Sequence, residues 1–111
     1  MKKIYISGPM TGLPELNFPA FIQAAARLRA MGFEVVNPAE KQEELVVFSE
    51  SSEEEIWQYF LKKDLKAMLD CDEIYMLEGW ENSKGAHLEM HVAHRVGIKV
   101  LFESRNTSLV A

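Results

Sequence analysis

EIYMLEGWENSKGAHLEMHVAHRVGIKVLF, residues 73–102, decides the fold. Glu73 to Leu77 is a short run of β-formers, and Ile98 to Phe102 is another. Between them Ala86 to Val96 reads as a helix that Gly97 closes. A strand, a helix and a strand in this span form one crossover unit. Such units pair their strands in parallel and turn with a right hand. The same alternation recurs upstream. Lys3 to Ser7 is a strand that runs into the turn-rich loop GPMTGLPELN. Asn17 is placed to cap a helix, with Pro19 in the first turn. Phe21, Ile22, Ala25, Leu28 and Met31 then follow at helical spacing, and Gly32 stops that helix. Phe33 to Val36 is the next strand, ended by Asn37-Pro38. Residues 39–52 carry the least regular pattern. Ser52 with Glu55 fits a capping box, and Ile56, Phe60, Asp64, Leu65, Met68 and Leu69 continue at helical spacing.

These elements predict an α/β three-layer sandwich, flavodoxin-like or Rossmann-like, with a parallel sheet of four to five strands. Residues 1–111 are expected to form a single domain. Composition agrees: 48% hydrophobic residues supply a core and 26% charged residues supply a surface. No apolar run reaches the ~20 residues of a membrane span. The basic start MKKIYISGPM is cut short by Gly8 and Pro9, which argues against a signal peptide. Cys71 is the single cysteine. It excludes an intrachain disulfide and a four-cysteine zinc site, and it makes a cytoplasmic setting the expectation.

The net charge of −5 is concentrated. Residues 40–55 hold seven acids against Lys41, which leaves the remainder at +1. No basic stripe is available for a nucleic-acid polymer. Small anions need no such stripe, because backbone amides at a loop or a helix start can hold them.

In a doubly wound sheet, ligands bind beyond the carboxyl ends of the strands. That rule selects the loop Ser7 to Asn17, the turn at Asn37, and the loop Glu78 to Ala86. Gly8 and Gly12 let backbone amides approach a ligand, or they only make a turn. No Gly-Lys-Ser/Thr follows, so this is not a P-loop. Small polar residues and Gly85 precede the helix that carries Glu89. A carboxylate within about one turn of a helix start is favoured in its ionised form. Glu89 is either a solvated glutamate at that end or a nucleophile beside a cleft. Asp64 sits between apolar Phe60 and Met68 at i−4 and i+4. It is either a paired structural acid or a partner for Glu89 in glycosidic chemistry. His87, His91 and His94 share one helix face, but HLEMH is not the H-E-x-x-H zinc motif, and no metal is expected. Trp80 is either an anchor or a stacking group in the right loop.

IYISGPMTG, NPAE, DLKAMLDCDEIYMLEGW and SKGAHLE together resemble the nucleoside 2-deoxyribosyltransferase-like superfamily. The chain looks most like the DUF4406 branch, common in phages and prophages. The resemblance implies that Glu89, in a G-x-x-x-E segment with Gly85, attacks C1′ of a nucleoside. It implies that Asp64 holds the sugar and assists the base, and that Tyr5 lies near the nucleophile. Ser83 stands where the similar deoxynucleoside 5′-monophosphate N-glycosidases carry a phosphate-binding serine. The loop Gly8, Pro9, Met10, Thr11 and Gly12 is similar to backbone that wraps that phosphate, and Ser7 before it is a further candidate substrate contact. Asn37, Trp80, Asn82 and Gly85, in the loops at the strand ends, are the remaining candidate substrate contacts. No cofactor is implied, and the partner is a small nucleoside or nucleotide. Homo-oligomerisation is expected, with Trp57, Tyr59 and the histidine helix as candidate faces. Hydrolysis or transfer at an N-glycosidic bond is the leading expectation. A non-catalytic nucleotide-binding module is the alternative, followed by a phage-encoded interaction protein that uses its acidic segment.

Overall fold

The computed structural model describes residues 2–40 and 52–103. Four strands and three helices alternate along it: β1 (Lys3–Ser7), α1 (Phe18–Ala30), β2 (Glu34–Val36), α2 (Glu53–Leu69), β3 (Glu73–Met76), α3 (Lys84–Arg95) and β4 (Lys99–Phe102). The strands lie in the order β2-β1-β3-β4, and every pairing is parallel. The chain moves outward from β1 to β2, then returns to the other side of β1 for β3. The order therefore reverses between β1 and β3, where Ser7 pairs with Met76 at the carboxyl ends. A crevice opens at such a reversal.

Strand alternation sorts the side chains into two cores. Ile4, Ile6, Tyr75 and Leu77 face α1 and pack with Phe21, Ala24, Ala25 and Leu28. Tyr5, Ile74 and Met76 face the opposite layer and pack with Met68 of α2 and with Ala86 and Ala93 of α3. Ser7 continues the second face. The three layers expected from the sequence are thus present, with α1 on one side and α2 and α3 on the other.

Local details refine the expectation. Ile22 and Met31 fall outside the buried stripe of α1, at 54% and 71% exposure. Leu69 is likewise exposed, and Met68 is the buried residue of α2. Asn17 occupies the cap position of α1 but does not cap it. Its backbone is left-handed, and its Nδ2 donates instead to the Pro9 carbonyl at 2.9 Å. The capping box of α2 is complete: Glu55 N–H donates to Ser52 Oγ, and Ser52 N–H donates to the Glu55 carboxylate. The third helix begins at Lys84, two residues before the expected start, because Ser83 caps it. Ser83 Oγ accepts the Ala86 amide at 3.1 Å. Residues 41–51, which hold Glu43, Glu44 and Glu50 of the acidic stretch, lie outside the described residues.

Candidate active site

Tyr5 and Ser7 point to one face because they are two residues apart on a strand. Glu89 meets them from α3. Tyr5 Oη donates to Glu89 Oε2 at 2.9 Å, and Ser7 Oγ donates to Glu89 Oε1 at 2.6 Å. All three side chains are buried, Glu89 at 6% exposure and Ser7 at 1%. Neither donor is a cation. Among the described residues, the salt bridges are Lys2–Glu73, Lys3 with Glu34 and Asp70, Arg27–Glu103 and Arg29–Glu40, so none reaches Glu89. The carboxylate is held by hydroxyls that leave its charge unneutralised.

Burial pushes the Glu89 carboxyl up to about 7. The Ser7 hydrogen bond opposes that rise, the charge of Asp64 adds to it, and the Tyr5 hydrogen bond opposes it again. Asp64 reaches the same cluster from α2, half-buried. Burial raises its carboxyl to about 6, against the pull of Lys63. Tyr5 is pushed well above the usual phenol range by burial and then by Glu89 and Asp64. Two carboxylates and a phenol thus share one charge environment at the carboxyl end of β1, and the two acids titrate as a coupled pair.

The surrounding loops are held by specific contacts. Leu77 N–H donates to Ser7 O at 2.8 Å, which extends the ladder past β3. A Cβ on Gly8 would lie 2.8 Å from the Leu77 Cβ, so only glycine permits this approach. Gly79 takes φ of +90° and opens the turn Trp80–Asn82. Trp80 packs on His87 and Phe102, with ring centroids 5.0 and 5.6 Å away. His87 Nε2 lies 2.8 Å from the Glu81 carbonyl and pins the turn to α3. Glu103 accepts the Glu78 amide at 3.1 Å and Arg27 Nη2 at 2.6 Å.

The other residues singled out from sequence have varied places. Pro9 is buried and Thr11 and Gly12 are exposed, while Met10 packs toward the α1-side core. Asn37 does not join the Glu89 cluster. Its Oδ1 accepts the Ala39 amide and its Nδ2 donates to the Phe21 carbonyl, so it fixes the exit of β2 against α1. Asn82 is exposed in the third loop. Gly85 lies in the first turn of α3, where the amides of Lys84 and Gly85 precede the first intrahelical bond, His87 N–H to Ser83 O. A hollow of about 530 Å³ runs beside this helix start, lined by residues that include Asn82, Ser83, Lys84, His87 and His91. Neither Glu89 nor Asp64 lines it. Among the described residues no group of three His, Cys, Asp or Glu gathers as a metal site. No helix there is long and apolar enough to cross a membrane.

Sequence reasoning placed Ser7 with the substrate loop and missed its bond to Glu89. The signal was the two-residue step from Tyr5, which puts both side chains on one face. The Asn17 clasp on Pro9 and the Glu103 contact with the Glu78 amide had no such signal, since both run to backbone groups.

A family model described as Domain of unknown function (DUF4406) matches residues 2–102. The chain belongs to that family. Of the solved structures, the DUF4406 chain is similar to a 2-deoxyribosyltransferase from the psychrotolerant bacterium Bacillus psychrosaccharolyticus, with a TM-score of 0.69 at 24% identity. The match covers 90% of the DUF4406 chain and 70% of the transferase chain. At this identity the likeness establishes a shared fold. No curated protein matches the DUF4406 sequence.

Proposed function

We propose that this DUF4406 domain cleaves, or transfers at, the N-glycosidic bond of a nucleoside or its 5′-monophosphate, with Glu89 as nucleophile. The observation that carries the reading is the buried Glu89 carboxylate at the β1/β3 reversal, held by two hydroxyls and no cation. The shared fold with a 2-deoxyribosyltransferase supports a nucleoside substrate at a coarse level.

In this mechanism one Glu89 oxygen bonds to C1′ as the C1′–N bond breaks. The bonding pair leaves with the base, which takes a proton from Asp64 or solvent. The transition state has oxocarbenium character, stabilised by the adjacent carboxylate. Water, or a second base, then attacks C1′, gives up its proton to Asp64 or solvent, and releases the Glu89 carboxylate. Attack by water completes hydrolysis, and attack by a base completes transfer. Asp64 orients the sugar and moves the proton, and its carboxyl near 6 suits that duty around neutral pH. The amides of Lys84 and Gly85, the Ser83 hydroxyl and the Gly8–Gly12 backbone would hold a 5′-phosphate. No cofactor enters these steps.

The test is incubation with deoxynucleosides and their 5′-monophosphates, beside Glu89→Ala, with free base read by chromatography. Base released by wild type alone supports the reading. No base from any member, with wild type and Glu89→Ala binding nucleotide equally, overturns it. That outcome favours a nucleotide-binding module instead. One observation already points that way: the hollow beside the α3 start excludes Glu89 and Asp64.

A further inference from the structure

A serine on the inner face of a buried strand interrupts an otherwise apolar layer. Ser7 is as buried as Tyr5, and its hydroxyl makes the shortest contact to Glu89. It does not open toward the loop that follows it. We propose that Ser7 is a positioning residue for Glu89: its hydroxyl clamps Oε1 while Tyr5 clamps Oε2, so the carboxylate plane is fixed by one donor on each oxygen. The catalytic meaning of this clamp rests on the glycosidic reading above. The clamp itself does not.

The chemistry of the donors explains the arrangement. A carboxylate oxygen has two lone-pair sites, so each one keeps a free site after accepting a single hydroxyl. Rotation about the last side-chain bond is blocked by two anchors from one rigid strand. A lysine or arginine in the same place would also fix the carboxylate, but it would neutralise the charge that must attack. Hydroxyls remain neutral and favour the anion by donation alone. The titratable groups that face Glu89 from neighbouring elements are Tyr5 on β1 and Asp64 on α2, with Lys63 acting on Asp64. On α3 itself, His87 and His91 are exposed. Of these groups Asp64 works against the anion and Tyr5 for it. Ser7 is thus the second of two donors that oppose burial.

The experiment reads the Glu89 titration by carboxyl-carbon NMR in wild type, Ser7→Ala, Ser7→Cys and Tyr5→Phe. Base release against pH is measured on the same proteins. Removing a donor to the anion raises the midpoint, so Ser7→Ala is expected to move it upward by about one pH unit, tenfold in proton affinity. Ser7→Cys fills the space with a weaker donor and is expected to move it part of the way. The acid limb of turnover should follow the NMR midpoint, with KM little changed. An unmoved midpoint in both Ser7 variants overturns the proposal. So does a rise in KM confined to 5′-monophosphates, which would mean that Ser7 touches phosphate instead. If Ser7→Ala does not fold, Ser7→Cys alone decides. If wild type releases no base but the midpoint moves, the clamp stands and the glycosidic reading fails.

Discussion

Glu89 is where burial and function oppose each other. A carboxyl raised to about 7 is half-ionised at neutral pH, yet attack on C1′ requires the anion. Turnover is therefore expected to fall as pH drops through neutrality, with the loss following protonation of the coupled Glu89–Asp64 pair. A pH profile of kcat/KM checks this, and a profile flat from about pH 5.5 to about pH 8 would contradict it. Glu89→Gln keeps the shape but cannot attack. It should lower turnover by at least about a thousandfold while nucleotide affinity, measured by calorimetry, stays within about threefold. The residue identities of this cluster were legible in the sequence: Tyr5, Asp64 and Glu89 were each singled out, and the structure brings them together. The partner of Glu89 through Ser7 was not, because a serine at a strand end reads equally as a loop residue. Asn37 stands apart from the Glu89 cluster for a related reason. Its Asn-Pro sequence marks a turn, and a turn asparagine spends its side chain on the local backbone.

At the scale of elements, helix starts and strand ends carry the design. The sequence located the three α-helices and the four strands, because glycines, prolines and capping residues punctuate them, and read the short 3-10 turns Pro14–Asn17, Pro38–Glu40 and Trp80–Asn82 as loops. It missed the left-handed run Glu15, Leu16 and Asn17, with φ of 53°, 53° and 61°. No residue pattern announces such a run, which costs about 1 kcal/mol or more per residue and must be held by its surroundings. The Asn17 contact with Pro9 is one such hold. Two substitutions separate stability from chemistry at this scale. Ser52→Ala removes the capping box far from Glu89 and should cost about 1 kcal/mol in urea unfolding, with turnover unchanged. Gly8→Ala sets a Cβ against backbone-proximal atoms of Leu77 beside Ser7. It should cost about 1–3 kcal/mol and also depress turnover, since relief of the clash shifts the strand end that holds the clamp.

For the whole molecule, the raised carboxyls have a stability consequence. Glu89 and Asp64 bind protons more tightly when folded than at their ordinary values of 4.5 and 3.8. Their contribution is fully present below those values and is lost as pH rises through about 7 and about 6. On this account urea unfolding should show the protein losing stability between pH 5 and pH 8. Glu89→Gln should remove much of that slope and be the more stable protein at pH 8, by roughly 2 kcal/mol. Equal slopes in the two proteins would contradict the assignment. The architecture itself was readable because alternation of strand and helix admits few topologies. What the sequence could not give was the layer on which each loop closes, since that depends on contacts such as Glu103 with the Glu78 amide.

The alternation along β1 also bears on how this family can change. Ile4 and Ile6 belong to one core, while Tyr5 and Ser7 serve Glu89 on the other side. Exchange of one side chain leaves that division intact. Loss or gain of a single codon between Tyr5 and Ser7 would split the pair, leaving one hydroxyl beside Glu89 and driving the other into the α1 layer. Drift in length inside this strand is therefore barred by the pairing of Tyr5 and Ser7 with Glu89.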